Sequence, residues 1–165
     1  MKRLAALLAV LAVEPVAAQD LAYDPGLTEH CLAGAEMREE REACIGLASD
    51  ACVNDTPGGS STVGISGCLS KETDWWDARL NTVYGQAMTK AKRSDAQAKE
   101  LGSSAPSQAK ALRGMQRAWI GFRDGKCSYE ATLWQGGTGA GPAYVGCLMW
   151  ITADQALFLE TAADY

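Results

Sequence analysis

Few residues in this sequence have the types and spacing that catalysis needs, and each candidate set lacks a member. Gly64-Ile65-Ser66-Gly67-Cys68 comes within one residue of the Gly-x-Ser-x-Gly turn that presents a nucleophilic serine. Cys68 stands where the final glycine belongs, no strand pattern precedes the turn, and His30 is the only histidine to serve as base. Gly58-Gly59-Ser60-Ser61 lacks the lysine of a phosphate-binding loop. Glu72, Asp74 and Asp77 offer carboxylates for acid–base work, but on a capped helix they read as surface charges or as partners for Arg123. No Cys-x-x-Cys occurs and there is no second histidine, so a zinc set is not indicated. The sequence therefore assigns no catalytic residue, no metal and no cofactor, and reads as a non-enzyme.

The cysteines carry chemistry of another kind. Cys31, Cys44, Cys52, Cys68, Cys127 and Cys147 all follow the N-terminal apolar run. That run, residues 4–13, comes after Lys2 and Arg3 and ends near Val16-Ala17-Ala18. It reads as a secretory signal peptide, residues 1–18, cleaved before Gln19. An even cysteine count in an exported chain points to three disulfides, out of fifteen possible connectivities. The expected pairs are Cys31–Cys44, Cys52–Cys68 and Cys127–Cys147. Residues 19–165 are the length of one ordinary domain. No later segment is long and apolar enough for stable membrane insertion. The full chain carries 15 basic and 20 acidic residues, a formal charge of −5, which argues against nucleic acid and favours basic partners.

Helical periodicity dominates the remainder, and no alternating strand pattern of useful length appears. The expected fold is all-α, a disulfide-stabilised bundle of about five helices. Asp24-Pro25 suits a helix start and Gly34 a stop. A second helix is expected over residues 36–53, with a charged cluster at 36–42 that turns apolar afterwards. Residues 54–67 read as a loop by composition. A long helix over residues 68–93 follows, with Trp76, Leu80, Val83 and Ala87 as its stripe. Another spans residues 106–134, where Leu112, Met115, Trp119 and Phe122 recur at spacings of three, four and three. Arg123 lies one turn after Trp119 and flanks that stripe, so it needs a partner. The last helix, residues 143–162, places Leu148, Ile151, Gln155 and Phe158 on one face.

Between the last two helices runs a glycine-rich loop, residues 135–142. A bridge between Cys127 and Cys147 would clamp it, and rigidly held loops tend to carry recognition. Trp134 and Tyr144 flank it as aromatic anchors of the kind that dominate binding interfaces. Trp134, Gln135, Gly136, Gly137, Thr138 and Tyr144 are accordingly the expected partner-binding residues.

One ordered set of residues resembles a known family. Cys68, Glu72, Trp76, Asp77, Leu80, Asn81 and Tyr84 are followed by Gln116, Trp119, Ile120, Phe122, Arg123, Asp124 and Cys127. Gly136-Gly137, Cys147-Leu148 and Thr152 complete it. The set is similar to that of the LprI-type lysozyme inhibitors, over about residues 68–160. The resemblance implies an exported bacterial helical domain with disulfides that inhibits host-type lysozyme. Trp76, Asp77, Leu80, Asn81, Tyr84, Trp119, Phe122, Arg123, Asp124 and Thr152 would then build its structure rather than its contact surface. One departure stands out: family members commonly carry an arginine three residues after the threonine, where this chain has Gln155. The segment 25–67 lies outside the shared pattern.

Host-type lysozymes are basic with an acidic cleft, so a net-negative inhibitor gains association rate by electrostatic steering. The reading reached is a periplasmic or secreted protein-binding module that occludes a lysozyme cleft, with a basic protein as partner. The alternative is a cell-envelope domain of the same fold that binds an unrelated protein or a small ligand.

Overall fold

The computed structural model describes residues 20–164, and the signal peptide expected at residues 1–18 lies outside them. The described residues form helices and no strand. In order they are α1 (Gly26–Gly34), α2 (Arg38–Glu42), α3 (Leu47–Asp55), α4 (Thr62–Glu100), α5 (Gln108–Thr132) and α6 (Ala140–Asp164). The fold is all-α with three disulfides, Cys31–Cys44, Cys52–Cys68 and Cys127–Cys147. These are the pairs the sequence led us to expect.

The spine is α4, whose 39 residues span about 58 Å. It starts at Thr62 rather than near Cys68, because the Ser61 hydroxyl accepts a hydrogen bond from the Gly64 N–H (3.1 Å) and caps the first turn. The expected loop over 54–67 shrinks to a few residues accordingly. The helix also runs past Arg93 to Glu100. There its last turns are tied to the next helix: Asp95 accepts from the Ser107 hydroxyl (2.6 Å), the Gln108 N–H (2.7 Å) and the Ala109 N–H (3.2 Å). One carboxylate thus satisfies orphan donors at the start of α5.

The core lies chiefly between α4 and α6. Trp76, Leu80 and Val83 of α4 meet Met149, Ala153, Ala156, Leu157 and Leu159 of α6, with Leu32, Cys44 and Ile45 closing one end. The face expected on α6 is displaced. Gln155 is buried, Leu148 and Ile151 are half-buried, and Phe158 is exposed. Since α6 packs against both α4 and α5, its buried arc is wider than one stripe. Ala153 and Ala156, small enough for close approach of helices, are completely buried.

The helix expected over 36–53 is broken. Residues 43–46 form turns, and Gly46 takes φ +97°, a left-handed conformation that side chains resist. What holds this break is Glu72, three turns into the spine and fully buried. Its carboxylate accepts from the N–H groups of Gly46 (2.8 Å) and Ser49 (2.7 Å) and from Trp76 Nε1 (3.1 Å). The Thr28 hydroxyl approaches at 3.4 Å. Glu72 is therefore neither a surface charge nor a partner of Arg123, as the sequence had suggested. It is the polar anchor that seats the start of α3 against α4.

The charged cluster at 36–42 is stitched to α6. Arg38 pairs with Asp154, and Arg41 shares Glu160 with Arg79 of α4. Glu40 turns back to accept from the Met37 and Glu36 N–H groups, which holds its carboxyl below the usual range.

Candidate functional site

Two surfaces gather the residues that the sequence singled out. The first is the turn between α5 and α6. Cys127 near the end of α5 and Cys147 in the second turn of α6 are both buried and bridged beneath it. The chain folds tightly from residue 133 to 139: Gln135 and Gly136 take φ +50° and +80°, and the Trp134 carbonyl accepts from the Gly137 N–H (2.8 Å). Gln135 is a rare non-glycine in the left-handed region. The six-membered ring of the Trp134 indole packs closely against Gly139. A Cβ at position 139 would sit 2.1 Å from the ring, so glycine there is a steric requirement.

Trp134 remains 54% exposed, and Gln135, Gly136, Gly137 and Thr138 are exposed as well, while Tyr144 is half-buried. Two apolar neighbours were not anticipated. Tyr129 and Leu133, four apart on α5 and its first following turn, are 65% and 60% exposed. With Phe122, also exposed, they form a solvent-facing stripe at helical spacing that continues into Trp134. The spacing was legible, but the stripe through Phe122 was expected to face the core. The orientation of α5 decides otherwise, since Trp119 with Leu112 and Met115 is the part that leans on the core.

The second surface is a cleft of about 430 Å³ where α4, α5 and α6 meet. Asp74, Asp77 and Asn81 of α4, Arg123 of α5, and Leu148 and Thr152 of α6 line it. The expected structural motif is therefore divided. Trp76 and Leu80 are buried, Tyr84 and Trp119 half-buried, and Phe122 exposed. Asp77, Asn81, Arg123 and Thr152 instead border an open concavity, with Asp124 beside it.

Local bonds set the geometry of this cleft. Asn81 Nδ2 donates to Asp77 Oδ2 (2.9 Å), one helical turn away. Arg123 donates through Nε and Nη2 to Asp124 Oδ1, both at 2.9 Å, and its guanidinium lies 5.1 Å from the centre of the Trp119 ring. That stack and the adjacent carboxylate are the partners Arg123 required. Gln155, at the position where an arginine was expected, is buried and donates to Gln116 Oε1 (3.0 Å). A hydrogen bond between two neutral side-chain amides stands there.

Among the described residues, Tyr23 Oη and Thr152 Oγ1 are the buried side-chain oxygens left without a partner. Burial first, then the charges of Glu72 and Glu29, holds the Tyr23 phenol well above its ordinary range, so it stays protonated. Among the described residues no group of histidine, cysteine and carboxylate side chains could hold a metal ion. No helix there is long and apolar enough to cross a membrane.

The family model described as lysozyme inhibitor LprI matches residues 52–159. The chain belongs to the LprI family. The match begins upstream of Cys68, so the LprI region takes in the end of α3, the Cys52–Cys68 bridge and the capped start of α4. Among curated proteins, the LprI chain described here is 28% identical over 137 residues to an uncharacterized 17.7 kDa protein in the puhA 5' region of Rhodobacter capsulatus. That alignment covers 82% of this chain and 84% of the relative. It is also 28% identical over 100 residues to an uncharacterized protein of Rhizobium meliloti, covering 61% and 72% of the two. No solved structure matches it. Family and disulfides together point to a place outside the cytoplasm.

Proposed function

We propose that this chain is an exported, non-enzymatic protein-binding module that inhibits a lysozyme by occluding its cleft. Residues 1–18 direct export and are removed, and residues 19–165 act as one helical domain in the periplasm or outside the cell. The contact is the turn between α5 and α6, built on Trp134, Gln135, Gly136, Gly137, Thr138 and Tyr144, with Leu133 added.

The observation that carries this reading is the Trp134 ring, largely exposed yet seated on Gly139 above a buried disulfide. An aromatic anchor fixed before binding loses little freedom when it enters a pocket. The net negative charge suits a basic partner, and association should slow as salt rises.

The test is inhibition of a panel of lysozyme types by the purified protein, compared with Trp134→Ala and Leu133→Ser. Both variants should melt as the parent does and inhibit about tenfold more weakly or worse, which is about 1.4 kcal/mol. A parent that inhibits no lysozyme sinks the lysozyme reading. Inhibition that survives both substitutions moves the contact elsewhere on the surface.

A further inference from the structure

Charge is spread very unevenly along this molecule. Residues 90–117 take in the last turns of α4, the connection, and the first turns of α5. They hold seven cations and two carboxylates, a net of +5. The other described residues hold six cations and seventeen carboxylates, a net of −11. Lys90, Lys92, Arg93 and Lys99 come from α4, and Lys110, Arg113 and Arg117 from α5; all are exposed. The end of α6 lies alongside, where Ala162 borders a concavity with Lys90 and Gln108, and adding Asp164 still leaves +4. The net negative charge thus describes the bulk of the molecule and not this tip.

The tip cations also differ in pairing. Elsewhere Arg38, Arg41, Arg79, Arg123 and Lys126 each sit against a carboxylate. At the tip, no carboxylate among the described residues pairs with Lys92, Arg93, Lys99, Lys110, Arg113 or Arg117. Asp95 does not offset them, because it is turned inward to Ser107, Gln108 and Ala109. Lys110, Arg113 and Arg117 follow at spacings of three and four, a like-charge arrangement that weakens a helix. An anionic surface laid against the tip would relieve that repulsion.

The connection adds an apolar point. Leu101 caps α4 and is 78% exposed, and Ala105 and Pro106 are exposed beside it. Residues 90–117 contain no aromatic side chain on which a nucleobase could stack. Cations around a protruding aliphatic side chain suit a phospholipid surface, where phosphates meet the charges and the leucine reaches the acyl boundary.

We propose that the α4–α5 tip docks end-on to an anionic phospholipid bilayer. This is attachment at the surface, since no helix among the described residues is long and apolar enough to cross. The rise of α5 puts the Trp134 turn about 40 Å from the tip, so a docked molecule holds that turn clear of the lipid. Lipid binding is therefore separate from the inhibitor reading, and its assay needs no lysozyme.

Co-sedimentation of the purified protein with vesicles tests this, comparing mixed phosphatidylglycerol–phosphatidylcholine with phosphatidylcholine alone. The protein should bind only the anionic vesicles and should be released as salt rises. A double variant, Lys99→Gln with Lys110→Gln, should bind about tenfold more weakly or worse, and Leu101→Ser severalfold more weakly. Lys71→Gln with Lys126→Gln makes the same change of charge away from the tip and should bind as the parent does. These exposed positions should leave helical dichroism and melting unchanged. No binding to anionic vesicles at low salt overturns the proposal. So does binding that the tip variants leave intact, or that the control pair weakens equally. Heparin or single-stranded DNA bound more tightly than the vesicles, with Leu101→Ser without effect, also overturns it and assigns the tip to a soluble polyanion.

Discussion

Replacing Glu72 by alanine should be among the most damaging single changes in this fold that touch no large apolar side chain. The carboxylate is fully buried and accepts from two backbone N–H groups, Gly46 at 2.8 Å and Ser49 at 2.7 Å, and from Trp76 Nε1 at 3.1 Å. Alanine removes the acceptor of all three donors at once. Each donor left buried and unsatisfied costs about 1–3 kcal/mol, so three together cost roughly 3–6 kcal/mol after water partly fills the space. Domains of this size hold about 5–15 kcal/mol in total, and the melting point should fall by about 10 °C or more. Glutamine is milder. It can keep an oxygen for Gly46 and Trp76 but turns an amide donor toward the Ser49 N–H, for a loss of about 1.5–3 kcal/mol. Urea denaturation of both variants gives the ordering, and amide exchange should show the loss concentrated at residues 46–49. If Glu72→Ala unfolds within about 0.5 kcal/mol of the parent, the carboxylate does not anchor α3 and the account of the break at Gly46 is wrong.

Three further outcomes are expected. Gly139→Ala must push the Trp134 ring off its seat, because the new Cβ would lie 2.1 Å from it; tryptophan fluorescence should shift, and, under the proposed function, inhibition should weaken with little change in melting. Asp95 titrates below its ordinary value of 3.8, chiefly because the Ser107 hydroxyl bonds to it. A depressed carboxyl contributes stability above its unfolded value and loses it as pH falls through the folded one. The α4–α5 junction should therefore loosen below about pH 4, visible as faster exchange at Gln108 and Ala109, and Asp95→Asn should remove that pH dependence. Trp119→Ala should cost about 2–3 kcal/mol, since the half-buried ring supports Arg123 and the core, whereas Phe122→Ser should stay within about 0.5 kcal/mol. Equal costs in the two variants would contradict the orientation given for α5.

The sequence by itself determined the helical class, because apolar residues recur at three and four along the 68–93 and 106–134 segments and nowhere alternate. It also determined the covalent frame. Cys52 and Cys68 lie either side of a glycine-rich turn, as do Cys127 and Cys147, so helix-by-helix reading leads to the three pairs that form. The family, too, was written in the order of motif residues, which needs no coordinates. What the chain could not announce was the outcome of contacts between distant segments. The helix over 36–53 breaks at Gly46 because its stabilising acceptor, Glu72, comes from another helix 26 positions away. Local propensity contains no trace of that carboxylate. The face of α6 was misjudged because alanine reads as neutral in a periodicity count, yet Ala153 and Ala156 are buried where α6 lies between two neighbours. For the same reason the motif looked like core throughout. Only packing turns Trp76 and Leu80 inward while Asp77, Asn81 and Arg123, from two different helices, meet Thr152 of a third around one cleft. Spacing fixes which residues share a face of one helix; the rotation of each helix about its axis is settled by its neighbours.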